Sequence, residues 1–247
     1  MIELIQKAFS DTGLRWWVDS GSLLGLYRDG RFLPNDADID ITLFVHDRND
    51  AEKVEHAVEI VKRLGFRCVR LMWGSRDKTY KYKLIPENAF PYKLDIMICF
   101  VQPDGSAVCP QGKKNTQNIG SIHRIRQICI DWKKGNTVRK KAGLKGKVYY
   151  YSYQIYRNLF LRNDAELNIQ NLSPEFYTML YWEIPAKFIE KISGTTLDGF
   201  PIPEDSDGYL RYRYGDWRIP NSHWNFTTDD GAIRTASKEQ INTFLDR

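Results

Sequence analysis

Apolar residues recur along the first hundred positions with two different periods, and each change of period marks an element. Ile2, Leu4, Ile5, Ala8 and Phe9 fall on one side of a helix over residues 2–11. "RWWVDS" at 15–20 is short, aromatic and β-branched, and reads as a strand that Gly21 breaks. Ser22 is placed to cap a short helix running to about Arg28. After the turn-rich "DGRFLPND", the segment "DIDITLFV" at 38–45 alternates, with Ile39, Ile41, Leu43 and Val45 on one face. Helical spacing returns at Val54, Ala57, Val58, Val61 and Leu64, and Gly65 suits the cap that ends it. "FRCVRLMW", "TYKYKLI" and "YKLDIMICFV" read as three more strands, the last followed by a hairpin turn at "QPDGS".

Beyond residue 110 the pattern changes. "VYYYSYQIYRNLFL" at 148–161 and "PEFYTMLYWEIPAKFIEKIS" at 174–193 are read as helices despite their aromatics, although "VYYYSY" also suits a strand. After Thr195 come Pro, Gly and turn residues with little periodicity. The expected class is α/β (α+β): a core over residues 1–110 that interleaves helices with a small mixed sheet, then a mainly helical, loop-rich region over 111–247 packed on it. The boundary near residue 110 is soft, and a single domain is the other arrangement.

Composition narrows the setting. Of 247 residues, 42% are hydrophobic and 27% charged, which is ordinary for a globular chain. No apolar run reaches the roughly 18 residues that a membrane span needs. The opening "MIELIQKAFSDTGLRWW" lacks a basic end followed by an apolar block, so no signal peptide is expected. Cys68, Cys99, Cys109 and Cys129 contain no Cys-x-x-Cys pair, and the histidines show no metal-ligand spacing. A cytoplasmic protein with reduced thiols is expected, with the inner membrane face as a peripheral location. Net charge is +5, and the excess is local: Lys113 to Lys147 holds eleven Lys or Arg against one acid, Asp131. Such a stretch attracts an anion, whether nucleotide phosphates, a phosphorylated glycan, a membrane face or nucleic acid. A solvated loop explains it equally well.

The acids of "PNDADIDI" carry the sharper chemistry. Strand alternation projects Asp38 and Asp40 to the same side, and Asp36 joins them if the extended backbone begins that early. Two such carboxylates in a partly enclosed place raise one another's pKa or demand a cation. Mg²⁺, a hard ion that prefers oxygen and is often shared with substrate phosphates, answers that demand. Asp95, inside the apolar strand "KLDIMIC", offers a third carboxylate. A turn role for Asp36 and a structural role for the other two are the plainer readings. Upstream, Gly21 lets backbone approach a ligand, and the amides at the start of the next helix, with the Ser22 hydroxyl, make a phosphate cradle.

The longer string "WWVDSGSLLGLYRDGRFLPNDADIDI" at 16–41 resembles the signature of the LicD family, which includes bacterial phosphocholine transferases and the fukutin-type ribitol-phosphate transferases. "YKLDI" at 92–96 and "FPIPEDSDGYLRYRYGDWRIP" at 200–220 extend the resemblance. The family implies a nucleotidyltransferase fold and an enzyme that moves a phosphorylated alcohol from a CDP-linked donor to a sugar hydroxyl, releasing CMP. Carried over, Asp38 and Asp40 look like ligands of Mg²⁺ or Mn²⁺, and Asp95 like the third catalytic acid, as ligand or as general base. Gly21 and Ser22 would hold the donor diphosphate, with Asp36 as a further substrate contact. Arg28 would either touch phosphate or clamp the acidic loop. The acceptor is a sugar or glycan, with an anionic or lipid-linked one open. The sequence departs from the pattern at Asn35-Asp36-Ala37-Asp38, where relatives carry Trp-Asp-Asp-Asp; Ala37 should point away from Asp38, so the pair survives. A cysteine-rich zinc insert is missing, and no structural zinc is expected.

Two other functions compete. A nucleotidyltransferase of the antibiotic-modifying type would use an NTP and release pyrophosphate from the same fold. A nucleic-acid-binding protein would use the 113–147 stretch, but no helix-turn-helix, zinc-finger or RNA-binding signature accompanies it, so no nucleic-acid partner is expected.

Overall fold

A computed structural model describes residues 1–34, 36–72, 79–114, 166–168, 177–197 and 199–245, together with residues 144, 148, 151, 152 and 155. Most of the basic stretch at 113–147, and most of the helix expected at 148–161, lie outside the described residues. The chain opens with α1 (Ile2–Ser10), β1 (Trp16–Val18), α2 (Ser20–Asp29), β2 (Asp38–Val45) and α3 (Arg48–Arg63). Four strands follow: β3 (Phe66–Met72), β4 (Thr79–Pro86), β5 (Lys93–Val101) and β6 (Ala107–Lys114). After β7 (Glu166–Asn168) come β8 (Tyr177–Ile184), α4 (Ala186–Ile189), β9 (Ile192–Leu197) and β10 (Phe200–Pro203). The chain closes with α5 (Ser206–Tyr214), β11 (Ile233–Thr235) and α6 (Lys238–Leu245).

Among the described residues nine strands form one mixed sheet, and β9 and β10 pair separately. The sheet branches at β5. On one edge β2 runs parallel to it in unbroken register from Asp38 opposite Lys93 to Val45 opposite Phe100. Antiparallel to β5 lie β4, through Lys81–Leu84, and β6, through Val108 and Ala107. β1 extends the β2 side, with Val18 opposite Ile41.

The alternation in β2 and β5 explains why these residues pair. Ile39, Ile41, Leu43 and Val45 bury one face, and Leu94, Ile96 and Ile98 do so beside them. Helix α3, whose Val54, Ala57, Val58 and Val61 are buried, packs against β2, β3 and α1. Its N-cap is Asp47, which accepts from the Asp50 amide at 3.0 Å, so the helix starts earlier than the apolar spacing indicates. The opposite face is covered at one end and open at the other. Thr42 and Phe44 are buried there, whereas Asp38 and Asp40 are only half-buried. Burying aliphatic side chains on the first face contributes about 1.5–3 kcal/mol each, which fixes the register and hence the side on which the acids emerge.

The second half departs from the expectation of a mainly helical region. Within the segment read as a helix at 174–193, residues 174–176 lie outside the described residues and Ala186–Ile189 is helical. Tyr177–Ile184 is instead β8, which pairs antiparallel with the full length of β6 from Ala107 opposite Ile184 to Lys114 opposite Tyr177. Its Tyr, Thr, Trp and Ile favour a pleated surface, and Pro185 ends the strand before the single turn of α4. β11 adds to the far edge of β8. The soft boundary placed near residue 110 falls inside β6. Aromatic packing also joins the halves: the Trp17 ring lies 4.4 Å from Phe44 and 5.6 Å from Tyr209 of α5.

Candidate active site

The pleat of three neighbouring strands brings five charged side chains to one face. Asp40 stands opposite Asp95 across the parallel β2–β5 pair, and Asp95 stands opposite Lys83 across the antiparallel β5–β4 pair. Asp38 and Lys81 lie two positions further along their strands on the same face. Asp36 approaches from the loop before β2, its amide held by the Leu33 carbonyl at 3.0 Å. Lys81 Nζ sits 2.6 Å and Lys83 Nζ 2.9 Å from the same oxygen of Asp95, Oδ2. Asp95 Oδ1 is buried and, among the described residues, has no hydrogen-bond partner.

The electrostatics follow from that crowding. Burial alone would raise the Asp95 pKa, but the Lys81 and Lys83 charges and hydrogen bonds override it and bring it down to about 2. In the free protein Asp95 is therefore a weak base. Asp40 goes the other way: burial first, then the Asp95 charge, push its carboxyl well above the usual range, with Lys81 opposing. Asp36 rises to about 7, through burial first and then its hydrogen bond with Asp38 and the Asp38 charge. Burial lowers the Lys81 pKa, yet the charges of Asp95 and Asp40 outweigh it and raise the value.

The N-terminus of α2 lies beside the acids. Asp19, fully buried, caps the helix by accepting from the Ser20 amide at 2.6 Å. Ser20 takes φ 53°, a left-handed conformation that is uncommon outside glycine, and its Oγ is buried with no hydrogen-bond partner. Gly21 leaves room here for Asp36: a Cβ on it would meet Asp36 Oδ2 and displace that carboxylate. The Ser22 hydroxyl, expected to cap the helix and to meet the donor, is engaged with β2. It accepts from the Asp40 amide at 3.0 Å and lies 3.3 Å from the Asp38 carbonyl. Arg28 forks onto both oxygens of its neighbour Asp29 at 2.8 Å.

These groups open onto a cavity of about 1000 Å³. Ser20, Gly21, Arg28, Asp36, Asp40 and Lys81 line one side. The other side comes from the end of the chain and includes Arg213, Tyr214, Asp216, Trp217, Trp224 and Phe226. Trp217 and Trp224 both line it. Trp217 packs edge-on to Tyr27 with centroids 5.5 Å apart, and Trp224 lies 4.7 Å from Tyr214.

A buried network that the sequence reading missed fixes how the two sides meet. Arg213 of α5 donates to Asp19 Oδ1 at 3.1 Å and to Asp230 Oδ2 at 2.6 Å. Tyr209 donates to Asp19 Oδ1 at 3.0 Å, and Thr42 donates to Asp19 Oδ2 at 2.7 Å. The Arg213 guanidinium also lies 4.1 Å from the Trp182 ring centre. The available signal was the joint presence of "VDSGS" and "YLRYRYGD" in one chain: Asp19 of the first pairs with Tyr209 and Arg213 of the second.

The donor set is all carboxylate oxygen, which suits a hard divalent ion. Among the described residues no three acid, His or Cys side chains close into a metal cluster. The acids nevertheless fit such an ion: Asp95 Oδ1 is a buried oxygen without a hydrogen-bond partner among the described residues, and burial, then neighbouring carboxylates, favour the protonated forms of Asp36 and Asp40.

Comparison with known proteins agrees with the resemblance seen in the sequence. Residues 13–119 match the family described as LicD/FKTN/FKRP, nucleotidyltransferase domain. The matched stretch contains Asp36, Asp38, Asp40, Lys81, Lys83 and Asp95, whereas Arg213, Asp216, Trp217 and Trp224 lie beyond it. No curated protein matches the chain. Among solved structures, the crystal structure of ANT(2″)-Ia in complex with adenylyl-2″-tobramycin is similar at 22% identity and a TM-score of 0.29. The match covers 42% of this chain and 50% of that one. The chain thus spans half the length of that structure.

Proposed function

With a LicD-type nucleotidyltransferase domain at residues 13–119, we propose that this protein is a metal-dependent transferase that moves a phosphorylated alcohol from a CDP-linked donor to a sugar hydroxyl and releases CMP. The observation that carries this reading is the shared face of Asp38, Asp40 and Asp95, of which Asp40 lines the cavity together with Ser20 and Gly21 at the N-terminus of α2. A diphosphate is the substrate group that uses both halves of such a site, since its oxygens take cations on one side and helix amides on the other. Phosphocholine, ribitol phosphate and glycerol phosphate are the groups the family resemblance names for transfer. The acceptor is a cell-surface glycan or its precursor, such as a capsule polysaccharide.

Asp38 and Asp40, with Asp95 through Oδ1, would hold Mg²⁺ or Mn²⁺. When bound, the ion supplies positive charge for the diphosphate and for the departing CMP. The chain's own groups do the positioning. The Gly21 and Ser22 amides of α2 and the Ser20 hydroxyl receive phosphate oxygens, the Ser20 amide being held by Asp19. Gly21 keeps that approach clear of a side chain, and Asp36 borders it. Arg28 adds positive charge on the same side of the cavity, its fork already engaged with Asp29. The aromatic wall of Tyr214, Trp217 and Trp224 gives the nucleobase or acceptor sugar flat apolar surface and shields the site from water.

The experiment is to incubate the protein with CDP-ribitol, CDP-choline or CDP-glycerol, Mg²⁺ and candidate glycans, and to weigh the glycans. A gain equal to one phospho-alcohol supports the reading. Attachment of a nucleotide from an NTP would replace it with nucleotidyl transfer at the same site.

A further inference from the structure

Lys81 and Lys83 emerge from β4 on one face, and both ammonium groups converge on a single oxygen, Asp95 Oδ2, at 2.6 and 2.9 Å. Their side chains are only 14% and 16% exposed, and that of Asp95 only 6%. Removing two ammonium groups from water is costly, and one carboxylate does not require two of them. Asp40 shares that face, directly opposite Asp95 on the neighbouring strand, and Asp38 lies two positions along from it. Lys81 also lines the cavity together with Asp40 and Asp36, whereas Lys83 stands behind it, directly opposite Asp95 on the next strand. Part of the positive charge that the acids call for is thus supplied, in the free protein, by a side chain of the protein itself.

We propose that Lys81 is a resident counter-ion of the acid cluster, which competes with a divalent cation for Asp95 and Asp40 until the diphosphate of the donor draws its ammonium away. This rests on the reading of the cavity as a site for a CDP-linked donor. Two cations within a few ångströms repel each other, so Lys81 weakens the grip of the free protein on the ion. An arriving diphosphate presents oxygens to both cations at once, which turns that repulsion into shared attraction. Ion and donor then bind cooperatively, and by linkage each strengthens the other by the same factor. The free enzyme holds little metal, and the charged site assembles only around its substrate.

Mn²⁺ binding to the full chain, read by electron paramagnetic resonance without turnover, tests this. Lys81→Met should bind Mn²⁺ alone about tenfold more tightly than the wild type, because a like charge has left the ion's surroundings. CDP should tighten Mn²⁺ binding to the wild type by about tenfold or more, and to Lys81→Met by clearly less. Lys81→Gln, which keeps a polar group where burial demands one, should repeat the result if the Met variant melts early. Lys83→Met should change Mn²⁺ binding less than Lys81→Met does. Mn²⁺ binding to both Lys81 variants that is unchanged or weaker would overturn the proposal while leaving the transferase reading intact. Failure of the wild type to bind Mn²⁺ with or without CDP would overturn both.

Discussion

Arg213 donates to Asp19 at 3.1 Å across 194 positions of sequence, and both side chains are all but sealed from solvent. That bond ties the loop that starts α2 to the helix that carries one wall of the cavity. Asp19 in turn holds the Ser20 amide at 2.6 Å in its left-handed turn. Arg213 thereby sets the distance between the α2 side of the cavity and the aromatic side.

Arg213→Met should therefore be among the most destabilising single changes in the chain. It leaves Asp19 and Asp230 buried without their guanidinium, and a broken buried pair costs about 3–5 kcal/mol. Tyr209→Phe removes only the hydroxyl that donates to Asp19, for about 1 kcal/mol. Urea denaturation of the two variants beside the wild type checks the order, and equal losses would contradict the network.

The acid cluster is built at the expense of the free fold. Asp36 titrates at about 7 in the folded chain, against roughly 3.9 when unfolded. Between those values the folded state holds the extra proton, so stability falls as pH rises from about 4 to about 7. Asp40, also raised, adds a slope of the same sign, while Asp95, held near 2, is ionised in both states and adds none in that window. With EDTA present the melting temperature should be lower at pH 7.5 than at pH 5.5. Asp36→Asn should reduce that difference, and Mg²⁺ together with CDP should raise the melting temperature more at the higher pH.

Asp40→Asn and Asp38→Asn should separate activity from stability. Losing a ligand removes several kcal/mol of charge stabilisation, so turnover should fall roughly hundredfold or more. The fold should survive, and Asp40→Asn should melt at or above the wild-type temperature without metal, because burial and the Asp95 charge both disfavour the ionised form. Near-normal turnover in either variant would remove the metal role.

Close approach of the acidic loop to α2 depends on two glycines one helical turn apart. A Cβ on Gly25 would lie 2.7 Å from the Arg31 carbonyl oxygen and 2.9 Å from the Leu33 amide. Gly25→Ala should therefore push residues 31–33 off the helix and cost about 1–3 kcal/mol. Gly21→Ala displaces Asp36 instead, so its larger effect should be on substrate affinity, measured as KM for the donor.

Much of the site could be read from strand alternation. Asp38 and Asp40 had to share a face because Ile39 and Ile41 needed the other, and Asp95 sits in an equally apolar run. What alternation could not supply was the partner of each strand. Only the β4–β5 register reveals that Lys81 and Lys83 meet on Asp95, and only the β6–β8 ladder shows that 177–184 is extended rather than helical. Helix α5 escaped for another reason: among its inward side chains is an arginine, so apolar spacing passes over it, and Arg213 is stable there only through acids far away in sequence. Ser22 looked like a cap by local rules, yet its hydroxyl bridges to β2 and Asp19 caps the helix.

The central claim is that the cavity beside Asp38, Asp40 and Asp95 acts on the diphosphate of a CDP-alcohol. It is tested most directly by the nucleotide product, separated chromatographically after incubation with a CDP-alcohol or an NTP, a glycan acceptor and Mg²⁺. The account expects CMP from the CDP-alcohol, lost on adding EDTA and lost in Asp40→Asn. Pyrophosphate released from an NTP, with no CMP from any CDP-alcohol, would contradict it.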